Sequence, residues 1–103
     1  MNKENVGILF NLFSGYEPEC FDLHIQAAMN TVKSLLKEPE KCDDIRLAFL
    51  AAALANMKAA EYIAMYGLNS EVKYKVKYAE NLFRSYTYLC DDLLKDHESN
   101  DLV

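Results

Sequence analysis

Turn-forming residues are scarce in this chain, which has three glycines and two prolines in 103 residues. All-β sandwiches and barrels need such residues at nearly every hairpin, so their scarcity points to helices. Long apolar runs are also missing. The stretch Val6 to Phe13 is eight residues long, whereas a membrane span needs about twenty. Lys3 and Glu4 precede it and no small-residue cleavage site follows, so neither a span nor a signal peptide is expected. The three cysteines, Cys20, Cys42 and Cys90, are odd in number and far apart. That spacing reads as free thiols in a reducing cytoplasm rather than a disulfide framework. The net charge of −5 disfavours broad attraction to nucleic acid or anionic membrane.

What is present fits one ordinary globular unit, at 51% hydrophobic and 26% charged residues. Residues 1–96 read as a single helical domain, and 97–103 as a flexible acidic tail. A chain this short buries about two-thirds of its unfolded surface. Its core is therefore modest, and association would add stability.

Four amphipathic segments can be read along the chain. Val6, Leu9, Phe10 and Phe13 share one side of a short helix that Ser14-Gly15 ends. So short a helix is unstable alone and must dock on this domain or on a neighbouring copy. A second helix opens at Pro18, with Glu17, Glu19 and Asp22 favoured by the helix dipole. It buries Phe21, Ile25, Ala28, Met29, Val32, Leu35 and Leu36 before Pro39 bars continuation. A third, Ile45 to Tyr66, is capped by Asp43 or Asp44, with Gly67 expected to close it in the left-handed conformation. Ala48, Ala52, Ala55 and Ala59 line one of its faces, and Leu47, Leu50, Leu54, Met57 and Met65 the other, which makes it central. In the last third two periods compete. Lys73, Lys75 and Lys77 alternate with apolar residues in strand fashion, yet Val72, Val76, Ala79, Phe83, Tyr86, Cys90 and Leu93 follow a seven-residue repeat. The expectation is a weak strand or extended arm at 71–77, then a helix over Tyr78 to Lys95.

Chemically, little stands out. Cys20 and His24 have the spacing of two metal ligands on a helix, but zinc takes three or four and no further local pair exists. No nucleophile–base signature, phosphate loop or other catalytic template is matched. Lys73, Lys75 and Lys77 with Tyr74 and Tyr78 form the single basic stretch. Such a pattern can contact single strands, but it is a small footprint in an acidic chain, and edge lysines also guard strands against pairing. The seven tyrosines exceed what one small core absorbs, and tyrosine favours interfaces.

The segment from Phe21 through Leu36, a short break with Pro39, and then Asp43-Asp-Ile-Arg-Leu-Ala-Phe-Leu-Ala-Ala-Ala-Leu-Ala-Asn-Met resembles small proteins encoded in prophage and phage-tail-like gene clusters of Gram-positive bacteria. Glu71 to Lys77 and Ala79 to Leu94 continue the likeness, which spans roughly residues 20–95. The resemblance implies a head–tail connector, neck or tail-completion subunit that packs into rings with its own copies and neighbouring particle proteins. It would be made in the bacterial cytoplasm and then built into the particle.

The expected class is thus all-α, a small bundle of a short N-terminal helix plus three longer ones with the 71–77 arm. The expected function is structural assembly, with no catalytic, cofactor-binding or metal residues. Its interface comprises Val6, Leu9, Phe10 and Phe13, together with Lys73, Tyr74, Lys75, Val76, Lys77 and Tyr78. The alternative is a helical adaptor that receives a partner's helix in a groove, and a minor nucleic-acid contact comes third.

Overall fold

The computed structural model describes residues 1–67 and 72–95. The expected tail at 97–103 lies outside the described residues. The fold is all-α, with helices α1 (Lys3–Ser14), α2 (Asp22–Ser34), α3 (Ile45–Tyr66) and α4 (Val72–Leu89).

Local chemistry accounts for most helix ends. The Asn2 carboxamide accepts hydrogen bonds from the Glu4 and Asn5 amides and so starts α1, and Gly15 at φ 80° closes it. Pro18 opens a 3-10 turn over Pro18–Phe21 that leads into α2, so the regular helix begins four residues later than expected. The Asp44 carboxylate accepts from the Arg46 amide at the start of α3. At the other end Gly67 corrects an expectation, because its backbone is extended (φ −93°, ψ 155°) rather than left-handed. Space is what requires glycine there, since a Cβ would sit 2.6 Å from the Ile63 carbonyl oxygen.

The 71–77 arm is likewise corrected, for α4 is helical from Val72 onward. Among the described residues no strand offers an edge, so an extended arm would leave its backbone groups unpaired, whereas a helix satisfies them internally. It also lays Ala79, fully buried, against α3. The same helix stops at Leu89, short of the expected Lys95, and Cys90–Leu93 form turns. The chain then pairs with the end of α2 in a single antiparallel bridge, Leu36 to Leu94. Lys37 N–H donates to the Leu93 carbonyl (3.0 Å) and Lys95 N–H to the Leu35 carbonyl (2.7 Å).

α3 is the axis of the molecule. It packs against α1, α2 and α4 in turn, and Leu50 through Asn56 is buried without a break. By length and composition α3 alone would suffice to cross a membrane, at mean hydropathy 1.3 with 61% of that window buried inside the fold. This differs from the expectation that no segment would qualify, and its central position accounts for the apolarity.

The interface role expected for α1 is corrected as well. Val6 and Phe10 are 0% exposed within this one chain, and Leu9 and Phe13 pack partly buried on the same core. Phe10 lies 5.7 Å from the Phe21 ring and Phe13 lies 5.8 Å from Tyr86. Burying a side chain such as Val6 or Phe10 contributes about 1.5–3 kcal/mol, which is why α1 docks on its own domain and leaves only Leu9 and Phe13 of those four partly exposed.

A clamp ties the base of α3 to the end of α4. Arg46 Nε and Nη2 donate to the two Asp44 carboxylate oxygens at 3.1 and 3.0 Å. Its Nη1 and Nη2 also reach Asp92 at 2.9 and 3.2 Å, and Nη1 donates to the Leu89 carbonyl at 2.9 Å. These hydrogen bonds hold both carboxyls below the usual carboxylate range. Beneath the clamp the buried Cys90 thiol donates to the Arg46 carbonyl at 3.5 Å, and burial pushes its pKa up to about 11.

Candidate functional site

The directions of the helices leave one side of α3 open. Cys90 beside Arg46 shows that α4 runs antiparallel to α3. His24 beside Tyr62, ring centroids 5.5 Å apart, shows the same for α2. α2 and α4 therefore run in one direction on either flank of α3, and the Leu36–Leu94 bridge joins their far ends. α1 touches the 3-10 turn that leads into α2 through Phe10–Phe21, and α4 through Phe13–Tyr86, so it fills one of the two gaps between α2 and α4. Among the described residues no helix fills the other.

That second gap is a groove of about 850 Å³. Its floor is one stripe of α3, namely Leu54, Met57, Lys58, Glu61, Tyr62 and Met65, at the three- and four-residue steps of a single helix face. The α2 wall is His24, Ala27, Ala28 and Thr31, and the α4 wall is Glu80, Phe83, Arg84 and Thr87. Small residues on α2 keep that wall low. Met57 and Met65 give the floor side chains that adapt to varied shapes.

The groove is shut at one end by the bridge and open at the other, where the C-terminal end of α3 meets the first turns of α2 and α4. Exposed apolar side chains gather at this open end, with Tyr62 at 51%, Met65 at 75% and Tyr66 at 70% exposure, and Leu23 nearby on α2. Tyr62 is held by its neighbours, for its ring lies 4.9 Å from Tyr66. Lys58, Glu61, Glu80 and Arg84 also line the groove, two bases against two acids, in a chain of net charge −5. The Lys58–Glu61 pair spans 3.6 Å across one turn with both side chains largely exposed, a contact that contributes little.

The residues singled out from sequence fall elsewhere. Lys73, Tyr74, Lys75, Val76, Lys77 and Tyr78 occupy the first turns of α4, outside the groove lining. A helix keeps Lys73 and Lys77 on one face, four residues apart, and turns Lys75 to the opposite side, so the three no longer stack on one strand face. Lys75 turns back over the Tyr16 ring, 5.1 Å from its centroid. Tyr74, 84% exposed, and Tyr78 face outward. Cys20 is exposed, and His24 packs edge-on against Phe21 at 5.4 Å. Among the described residues no three His, Cys, Asp or Glu side chains gather where they could hold a metal ion.

Sequence reasoning missed the groove as a place, although a signal for it existed. A helix with apolar residues most of the way round, as α3 has, needs neighbours on most sides, and among the described residues α1, α2 and α4 leave one side uncovered. No protein-family model, no curated protein and no solved structure matches this chain.

Proposed function

We propose that this protein is a helix-receiving interaction module, with the groove between α2, α3 and α4 as its binding site. The occupant is an amphipathic helix on another protein chain, carrying an uncharged apolar stripe at three- and four-residue spacing. The observation that carries this reading is that stripes of α2, α3 and α4 converge on a trough, lined mainly by apolar and small side chains, where a further helix would pack. A packed helix sits about 8–10 Å from its neighbour's axis and meshes its side chains with such stripes. A trough open along its length and at one end suits a helix better than a small molecule, which needs most of its surface enclosed. The two bases and two acids of the lining cancel, so apolar fit rather than net charge selects the partner.

A synthetic amphipathic peptide with a Leu/Ala stripe and a scrambled peptide of identical composition test this by NMR titration. The expected result is amide shifts at His24, Met57, Met65 and Phe83 with the patterned peptide alone. Equal binding of both peptides, or shifts confined to the outer face of α1, would sink the reading.

The resemblance over residues 20–95 supports a narrower identity, as an assembly subunit of a phage or phage-tail-like particle in which the partner helix belongs to a neighbouring subunit. Outward-facing Tyr74 and Tyr78 on α4 favour it, as further contact area outside the groove. Neighbouring genes decide this point. Portal, sheath or tail-tube genes beside this one support the particle, and a regulator in a separate operon supports the adaptor.

A further inference from the structure

Resting on the groove reading above, we infer that the helix seated in the groove belongs to a second copy of this chain, bound antiparallel about a two-fold axis. The ridge entering each groove is the C-terminal end of the other copy's α3, formed by Tyr62, Met65 and Tyr66. Two observations carry this.

The first is the order of charges along the groove. On α3, Glu61 lies one turn nearer the open end than Lys58. On α4, which runs the opposite way, Glu80 lies one turn nearer the open end than Arg84. Both sides thus place the acid outward and the base inward. A copy turned end for end sets its acids over this copy's bases and its bases over this copy's acids. A two-fold pairing makes that match twice, because an isologous interface uses the same patch on both copies. A parallel arrangement would set like charges against each other.

The second observation is where bulk and space are found. The exposed apolar side chains Tyr62, Met65 and Tyr66 crowd the open end. The inner end is lined by Leu54 of α3 and Phe83 of α4 and, on α2, by the small residues Ala28 and Thr31, which leave space there. Antiparallel pairing carries the bulk of one copy into that space in the other. It also removes from water an apolar patch that a monomer would leave bare. Pairing on this face covers the side of α3 that α1, α2 and α4 leave bare, which links the charge order to the fold.

Sedimentation equilibrium of the full chain, from micromolar to millimolar concentration, tests the inference. The expected species is a monomer–dimer equilibrium whose dissociation constant rises by about tenfold or more in Met65→Glu and in Tyr66→Glu. Ile8→Glu, on the exposed outer face of α1, leaves it unchanged. All three positions are more than half exposed, and circular dichroism confirms that the variants fold. A charge exchange supplies a readout that general surface damage cannot mimic. Lys58→Glu and Glu80→Lys each weaken the dimer, and the double variant, which restores an acid opposite a base across the two-fold axis, recovers it. A monomer at every concentration overturns the inference, and so does a dimer indifferent to Met65→Glu or a double charge variant no better than the singles. The patterned peptide separates this failure from that of the groove reading. If the chain is monomeric yet binds the peptide at the groove, only the second copy is wrong; if it binds neither, both are.

Discussion

Phe10→Ala isolates the claim that α1 belongs to this domain's own core. The Phe10 side chain is wholly buried against Phe21, so its removal forfeits about 1.5–3 kcal/mol of transfer free energy. The cavity left behind adds a further term at about 24 cal/mol per Å³ of unfilled volume. α1 is followed by a short link to Pro18 and is free to settle inward, so the cavity closes in part. The net loss is about 3 kcal/mol, within the usual range for burying and then deleting a phenylalanine. Against the roughly 5–15 kcal/mol typical of single domains, that is a large fraction. With a urea m-value of about 1.5 kcal/mol/M the midpoint falls by about 2 M. The measurement belongs in the Met65→Glu background, where pairing at the groove does not contribute. There the loss must be the same at every protein concentration, because docking within one chain carries no concentration term. Leu12→Ala, on the exposed side of the same helix, should change stability by less than about 0.5 kcal/mol. A Phe10→Ala loss below about 1 kcal/mol, or one that grows on dilution, would refute docking in cis and return α1 to the role of an inter-subunit clasp.

Two further outcomes follow from the clamp and the thiols. Asp44 and Asp92 have folded pKa values depressed by the Arg46 hydrogen bonds, so their stabilisation is complete above the unfolded value of about 3.9 and is lost as pH falls below it. Urea midpoints measured from neutral pH down to the acid limb should fall less steeply below about pH 4 in Arg46→Gln than in the parent; identical slopes would mean the clamp does not persist in solution. With its pKa pushed up to about 11 and its side chain buried, Cys90 should resist a thiol reagent at mildly alkaline pH until urea unfolds the chain. Exposed Cys20 should react at once, and three equivalents released together from the folded protein would contradict that burial.

Much of the architecture is legible residue by residue. Asp44 before Ile45, the steps of three and four through α2, and the apolar residues that go most of the way round α3 each express a backbone or burial preference that needs no knowledge of neighbours. The departures share a cause. At residues 72–77 two periods coincide, and alternation with β-favouring Tyr and Val is outweighed because the described residues offer no strand edge to join, whereas a helix satisfies its backbone groups within itself. At Gly67 the residue type was informative but its reason was not, since close approach of Ile63 O is a fact of packing. Val6 and Phe10 announced that they must be buried without saying by what.

The sequence by itself determined that the chain is helical, where α1, α2 and α3 begin and end to within a few residues, and that α3 is central. These follow from period, caps and composition, which act over a few residues. The tertiary structure alone decided that α1 closes one gap between α2 and α4 while the other stays open, that Arg46 joins Asp44 to Asp92, and that the tyrosines and methionines of α3 collect at the mouth of the groove. Those outcomes depend on which faces compete for a single central helix. A pattern along the chain can show that a face must be covered, but only packing assigns what covers it.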